Sequence, residues 1–507
     1  MKVGFILKTR IHNDIFNVYN DYENNEGRGP PSSQHPKGEA LGYRMKMTDA
    51  VEAADDPDEK QDIRDGKTKE GRWLKNILYI KMKLLQGTYV NGLMKSVRDL
   101  FYKKEIMEKF DTDTSLIGFD NGIYDLKSNV FREGRPEDYI TKSTGFSIPI
   151  GDAELPIRLS DINSHLSNYI KEYDTFKRDL DTFIQQIIPL EEVRQYTLRF
   201  LSKCLSGENR DEGFYIWTGS GGNGKSKLIE IAQLVLGEYG CGLPVSLITS
   251  KRASSNSATP EMERTKGIRL AVMQEPEADE CINIGLMKEL TGNDKIIARG
   301  LYKEPVEFVP QFKLLLMCNE LPNIPSNDDG TWRRLEVVDF ISRFIGEEDQ
   351  HKINNKRHIY KRDKELRNKL PAWKLVFLGI LLEEWMKYDK EGIKVPKQVN
   401  NKTKSYRNEN DIVGQWIEQV CEIVDNIKND NGQECAPTVF EDLFFDFKGW
   451  CQEQGHKSPD KKKTKDDLLK WQEQSTYGLS LGRNMKQGRP NGSERTPYFN
   501  LKVVDGE

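Results

Sequence analysis

The chain has 507 residues, 76 Lys and Arg against 80 Asp and Glu, a formal charge of −4 and a hydrophobic share of 36%. That length predicts two to four domains, no apolar run reaches the roughly 18 residues of a membrane span, and the opening MKVGFILKTRIHND is too weakly apolar for a secretion signal. Seven cysteines and six histidines are scattered without a CxxC pair, which excludes zinc-type spacing and fits a reducing compartment.

In chain order, residues 1–70 form an irregular segment rich in Gly, Pro, Ser and acids, whose acidic run reads as a solvated face. From Arg72 to Lys109 apolar residues recur at helical spacing, first Leu74, Ile77, Leu78, Met82 and Leu85, then Leu93, Val97 and Phe101. That pattern predicts two amphipathic helices. Asp111-Thr112-Asp113 follows in a turn-like setting, a poor match to a two-metal acidic pair. Residues 118–146 carry short apolar runs broken by Asn121-Gly122, Gly134 and Pro136, the signature of small strands and turns. Helical periodicity returns over 159–209, so residues 71–190 are read as one N-terminal domain.

Residues 191–350 are the expected core. Strands alternate with helices there, which predicts an α/β fold with a mainly parallel sheet. A helical connection over 351–404 includes the helix PAWKLVFLGILLEEWMKY at 371–388, with Pro371 in its first turn. Helices at 409–428 and 438–454, a third helix and a strand-like RTPYFNLKVV suit a winged-helix-like domain over 405–507. Its lysines Lys461, Lys462, Lys463 and Lys465 read as a solvated stretch, with duplex DNA as the functional alternative.

The strongest signal lies at 219–226, GSGGNGKS, between the apolar strand FYIW and the helix KLIEIAQLVLG. Gly219, Ser220, Gly221, Gly222, Asn223 and Gly224 let the backbone curl so that its N–H groups face phosphates. The helix N-terminus adds partial positive charge, Lys225 is expected on the β- and γ-phosphates, and Ser226 on Mg²⁺. The strand IRLAVMQEPE ends in Glu275 and Glu277. Glu275, directly at the strand end, is the better candidate to polarise the attacking water or support the metal shell. A further strand, KLLLMCN, ends in Asn319, which can orient water and sense the γ-phosphate, or serve only the turn before Pro322. In DDGTWRRLEVVDF, Arg333 and Arg334 precede another strand, as an arginine finger or a structural ion pair.

GSGGNGKS, LAVMQEPE, ELTGNDKIIARGLYKEPVEF, LLLMCNELP and DGTWRRLEVVDF, in this order, resemble superfamily 3 helicases. Within them the chain is similar to the poxvirus-type primase–helicase branch of large DNA viruses, phages and mobile elements. IGFDNGIYDL…PEDYITKSTGF resembles the domain that precedes the ATPase in that branch. The resemblance covers residues 70–345 well and the C-terminal part loosely. It implies an AAA+-like P-loop ATPase core using ATP and Mg²⁺, a homo-hexameric ring with sites between subunits, and 3′–5′ movement on single-stranded DNA at replication forks. Arg334 is favoured as the finger. Residues 292–304 correspond to a channel hairpin, where Arg299 and Lys303 grip phosphates and Tyr302 stacks on a base or packs within the hairpin. Primase, polymerase or other replication proteins are the expected further partners. The expected location is the host cytoplasm or a viral replication site, with no membrane contact. One departure is that residues 1–110 are too short for the branch's polymerase-like primase domain, so primer synthesis is not expected here. Alternative readings are a ring-shaped nucleotide-dependent scaffold that loads primase or polymerase, and a remodelling or packaging ATPase without unwinding.

Overall fold

The computed structural model describes residues 86–101, 104–151, 153–250, 258–276, 280–302, 304–326, 328–424, 427–428, 434–435, 438–474 and 498–503, with isolated positions between 58 and 83. The chain divides into two units, Met1–Glu108 and Lys109–Glu507. In the first, helix α1 spans Gly87–Phe101, and α2, Lys104–Lys109, follows at the boundary. The earlier of the two expected helices and the acidic segment fall outside the described residues, isolated positions aside.

The second unit opens with an antiparallel sheet of β1 (Leu116–Phe119), β2 (Gly122–Asp125), β3 (Val130–Arg132) and β4 (Ile157–Arg158). Gly122 closes the β1–β2 hairpin where a side chain has no room, since a Cβ would stand 2.6 Å from the Phe131 ring. Asp111 and Asp113 serve turns. The Asp111 carboxylate accepts the Thr141 N–H at 2.8 Å, and that of Asp113 accepts the Ser115 N–H and hydroxyl at 2.9 and 2.6 Å. Three helices follow, α3 (Leu159–Tyr169), α4 (Tyr173–Ile187) and α5 (Glu191–Lys203).

The core sheet is built from β5 (Phe214–Thr218), β6 (Gly240–Gly242), β7 (Leu270–Gln274), β10 (Lys313–Met317) and β11 (Leu335–Asp339), with helix α6 (Lys225–Leu236) after β5. All pairings are parallel, and the strand order is β11-β5-β10-β7-β6. Near-continuous apolar runs such as FYIWT and KLLLM form parallel strands because both sheet faces are covered. Side chains alternate along β5 accordingly. Tyr215 and Trp217 join the core made with α4, α5 and α6, whereas Phe214 and Ile216 enter the core on the opposite face. Between β7 and β10 the chain adds α7 (Ile284–Thr291) and an antiparallel hairpin of β8 (Ile296–Ala298) and β9 (Val306–Phe308). A short helix α8 (Asp329–Trp332) leads into β11.

After β11, β12 (Arg343–Ile345) and β13 (Ile359–Lys361) pair in parallel, and helix α9 runs from Leu366 to Glu391. It begins five residues before Pro371, which lies inside it rather than in its first turn. Leu366 and Leu370 extend the apolar stripe by one more turn, and the Asn368 and Lys369 N–H groups already bond to the Glu365 carbonyl. With Trp373, Phe377 and Leu381 buried, α9 packs on α4, α5 and α6 and is more than a connection.

Helix α10 (Lys397–Asn410) lies on β11 and crosses the boundary expected at 405. Its Tyr406 hydroxyl bonds to the Pro322 carbonyl, its Arg407 pairs with Asp329 at 2.7 Å, and the Val337 N–H donates to Thr403 at 3.0 Å. A separate small core begins only after Asp411, which caps α11 (Ile412–Val420). The helix expected at 409–428 stops there because β14 (Cys421–Ile423) leaves to pair with β19 (Leu501–Val503). Two small antiparallel pairs, β15 (Ile427–Lys428) with β16 (Glu434–Cys435) and β17 (Thr438–Val439) with β18 (Tyr498–Phe499), accompany α12 (Phe440–Glu453) and α13 (Lys461–Gln474). Trp416, Phe447, Leu468 and Leu501 fill this core. Lys463, on α13, reaches back to the Pro325 carbonyl at 3.2 Å.

At the amino ends of β7 and β10, two buried cations bind carbonyl groups. The Arg269 guanidinium donates to Leu205 and Leu116, and the Lys313 ammonium donates to Ser206 at 2.5 Å. They tie the end of α5 and strand β1 to the core sheet. Burial lowers the Lys313 pKa to about 7. Between that value and the ordinary lysine range near 10.4, the unfolded chain holds more protons, so stability rises with pH across this window. From pH 7 to pH 9 the wild type should therefore gain up to about 1.4 kcal/mol per pH unit over Lys313→Met, read from urea denaturation at both values. An identical difference at both pH values would contradict this account.

Candidate nucleotide-binding site

The loop between β5 and α6 holds four glycines at positive φ: Gly219 at 149°, Gly221 at 82°, Gly222 at 59° and Gly224 at 87°. Two also permit close approach. A Cβ at Gly224 would stand 2.6 Å from Ile187, and one at Gly219 would stand 2.7 Å from the Phe340 carbonyl. The loop is fixed before any ligand arrives. The Phe344 N–H donates to the Gly222 carbonyl at 2.8 Å, the Gly221 N–H to that of Gly219 at 2.8 Å, and the Asn223 amide to that of Phe340 at 3.5 Å. Lys225 is buried and folds back so that its ammonium donates to the Gly219 carbonyl at 3.0 Å. Burial lowers its pKa, opposed in part by Cys318, Asp339 and Glu275. Ser220 and Ser226 are exposed, Ser226 at the start of α6.

Parallel pairing brings the carboxyl ends of β7 and β10 to the same edge. The acid-bearing strand β7 is not the direct neighbour of β5, because β10 lies between them. Glu275 follows β7 at a φ of 51°, unusual for a side chain this large, with its N–H bonded to the Met317 carbonyl at 2.8 Å. Such strain concentrates at working sites. The preceding residue is Gln274, an amide, and Glu277 lies outside the described residues. Asn319 turns its amide oxygen toward the loop, 4.0 Å from where a Gly221 Cβ would stand, while its carbonyl accepts the Thr218 hydroxyl at 3.2 Å. Gly221, Lys225, Ser226, Glu275 and Asn319 thus line one cavity of about 750 Å³, within the range of small-molecule sites. The Ser226 hydroxyl, the Gln274 amide and the Glu275 carboxylate are hard oxygen donors on its wall, a set that fits Mg²⁺.

Arg333 and Arg334 lie elsewhere. The Phe214 N–H, at the amino end of β5, donates to the Arg334 carbonyl at 2.6 Å, whereas the phosphate loop leaves the other end of that strand. Arg334 is held within the chain, 2.5 Å from Glu212 and 2.7 Å from the Gly330 carbonyl, with its side chain 13% exposed. Arg333 is 67% exposed and stands 3.6 Å from Glu212. The β8–β9 hairpin carries Arg299, exposed, and Tyr302, fully exposed at a φ of 58° and so not packed within the hairpin. Leu301 and Ile297 are exposed beside them, and Lys303 lies outside the described residues.

The rest of the cavity wall carried no motif. Phe183 and Gln186 come from α4, and Arg362, Arg367 and Trp373 from the β13–α9 region. The Phe183 and Trp373 ring centroids are 5.6 Å apart. In sequence, KRDKELRNK over 361–369 reads as a solvated charged run, and only its distance from the phosphate loop in space gives it meaning.

The family model described as D5 N terminal like matches residues 48–183, and a family of unknown function matches 217–334. A protein of Acanthamoeba polyphaga mimivirus provisionally named a helicase is 41% identical over 358 residues, covering 70% of this chain and 35% of its own. One of African swine fever virus provisionally named a primase is 23% identical, covering 66% and 34%. This chain therefore spans about a third of the length of these curated relatives. The solved C-terminal region of NrS-1 gives a TM-score of 0.35 at 13% identity, over 63% of this chain and 74% of that one, a likeness too slight to argue from. By sequence, then, the chain is similar to helicase- and primase-named proteins of large DNA viruses, and residues 48–183 match the D5 N terminal like family, in keeping with a primase–helicase branch.

Proposed function

We propose that this chain is the ATP-hydrolysing motor of a viral replication helicase, working as a homo-hexameric ring that moves on single-stranded DNA at forks. One observation carries the reading. The phosphate loop, Glu275 and Asn319 share the edge of the sheet formed by the strands' carboxyl ends, while the exposed Arg333 precedes β11 at the edge formed by their amino ends. A hydrolytic site of this kind is completed by cationic charge on the transition state. Here that charge comes from a neighbouring subunit. The ring, the 3′–5′ polarity and the use of primase or polymerase as partners follow from the branch.

In this mechanism the loop N–H groups and Lys225 bind the β- and γ-phosphates. Ser226 and Glu275 would hold Mg²⁺, which supplies charge neutralisation on the phosphate oxygens. Glu275 takes the proton of the attacking water, and Asn319 orients that water. Arg333 reaches the neighbour's γ-phosphate, while Arg334, clamped by Glu212 and Gly330, holds the strand entry that aims it. Arg299, Tyr302 and Lys303 contact DNA from the hairpin. The α13 lysines are a further candidate contact for duplex DNA.

Lys225→Ala should abolish ATP binding and fork unwinding with an unchanged melting temperature. Glu275→Gln should keep ATP affinity while turnover falls by roughly 10²–10⁴. Full turnover in either purified variant would remove this cavity from the account.

The two arginines separate in a second test. Arg333→Ala should lower turnover by about 10³ without changing ATP affinity or melting temperature, and mixing it with Lys225→Ala should restore part of the activity. Arg334→Ala should lower the melting temperature as well, because it leaves Glu212 without its closest partner. A silent Arg333→Ala beside a folded, inactive Arg334→Ala would exchange the two roles.

A further inference from the structure

The cavity has a second cationic wall, supplied by the same chain. Five basic residues, Lys361, Arg362, Lys364, Arg367 and Lys369, line it from the β13–α9 connection. Two of them are committed to acids: Lys364 to Glu347 at 3.0 Å and Lys369 to Asp363 at 2.8 Å. Arg362 and Arg367 are exposed on the cavity and have no acidic or hydrogen-bonding side-chain partner among the described residues.

Their backbone is tied to the phosphate loop. The Phe344 N–H of β12 donates to the Gly222 carbonyl at 2.8 Å, and one residue on, the Ile345 carbonyl accepts the Arg362 N–H at 2.9 Å. Arg367 stands in the first turn of α9, which packs on α6, the helix that begins at Lys225. The backbones that carry both arginines are therefore tied to the same frame as the loop. A bound triphosphate faces the loop N–H groups and Lys225 on one side, and the other side of its charge needs neutralising too. Planar guanidinium groups suit phosphate oxygens because two parallel N–H donors match them.

We propose that Arg362 and Arg367 form a cis phosphate-binding wall that grips a nucleoside triphosphate from the β13–α9 side of the cavity, alongside the phosphate loop. This rests on the reading of the cavity as an ATP site. It adds that one subunit alone provides both walls of the polyphosphate pocket, leaving to the neighbour the transition-state charge and not the binding. Specificity for the longer polyphosphate follows, since the two arginines add affinity only where phosphate oxygens extend across the cavity.

The test uses the full chain with Mg²⁺ and compares equilibrium binding of ATP and of AMP by calorimetry. Arg362→Ala/Arg367→Ala should weaken ATP binding by about 10- to 100-fold, leave AMP binding within about twofold and leave the melting temperature unchanged. Arg362→Lys/Arg367→Lys should recover part of the loss, because charge returns without the fork. Equal ATP affinity in the double alanine variant, with Lys225→Ala losing ATP, would overturn the cis wall and leave the ATP site standing. Equal weakening of ATP and AMP with a lowered melting temperature would overturn it as well, by exposing a structural role. Wild-type ATP affinity in Lys225→Ala would instead bring down the reading of the cavity on which the wall rests.

Discussion

The parallel setting of β5 between β10 and β11 is the constraint on which the other features depend. In a parallel sheet every carboxyl end faces the same way. The glycine loop, Glu275 and Asn319 therefore meet at one edge although they are widely separated in sequence. The same rule sends the residues that enter β11, Arg333 and Arg334, to the opposite edge. A five-residue strand at about 3.3 Å per residue keeps the two groups roughly 16 Å apart, beyond the reach of an arginine side chain. Association of subunits is thus a chemical requirement of the reading and not an addition to it.

The frame around that strand is stiff where the proposed chemistry needs it. Helix α9 seals the face that carries α6, and the sheet of β12 and β13 binds the phosphate loop by a backbone hydrogen bond. At the other end, the buried Arg269 and Lys313 side chains donate to carbonyls of β1 and of the turn after α5. An unpaired buried cation is costly, so these contacts are sensitive to substitution. They join the N-terminal small sheet to the core sheet as one packed body within residues 109–507. Among the described residues, the tail beyond Asp411 has a small core of its own around Trp416, Phe447, Leu468 and Leu501, and the hairpin leaves Tyr302 and Leu301 exposed.

How much of this was legible in the sequence differs by element. The phosphate loop was readable because glycine spacing and a following Lys-Ser dictate local geometry without help from distant residues. Strand identity was readable too, since LAVMQ and KLLLM are apolar throughout. Strand order was not: nothing local tells β10 to insert between β5 and β7. Pro371 suggested a helix start, yet leucines at 366 and 370 carried the helix further upstream. The boundary expected at 405 falls inside α10, where Tyr406 is buried against Pro322 and Arg407 pairs with Asp329, partners that a polar helix does not announce in sequence. The resemblance favoured Arg334 as the finger; Glu212, more than a hundred residues earlier, holds Arg334 at 2.5 Å and leaves Arg333 the more exposed of the two. Residues 361–369 carry no motif and fell within the helical connection expected over 351–404, because what sets them apart is the cavity they line and not their pattern along the chain.

The central claim is that each hydrolytic site is completed by a second copy of the chain. The most direct measurement is ATP turnover per chain as a function of protein concentration, with the assembly state followed at each dilution by light scattering. The account predicts that turnover per chain collapses as assemblies dissociate to monomers, while ATP binding persists. Constant turnover per chain in solutions that contain only monomers would contradict it.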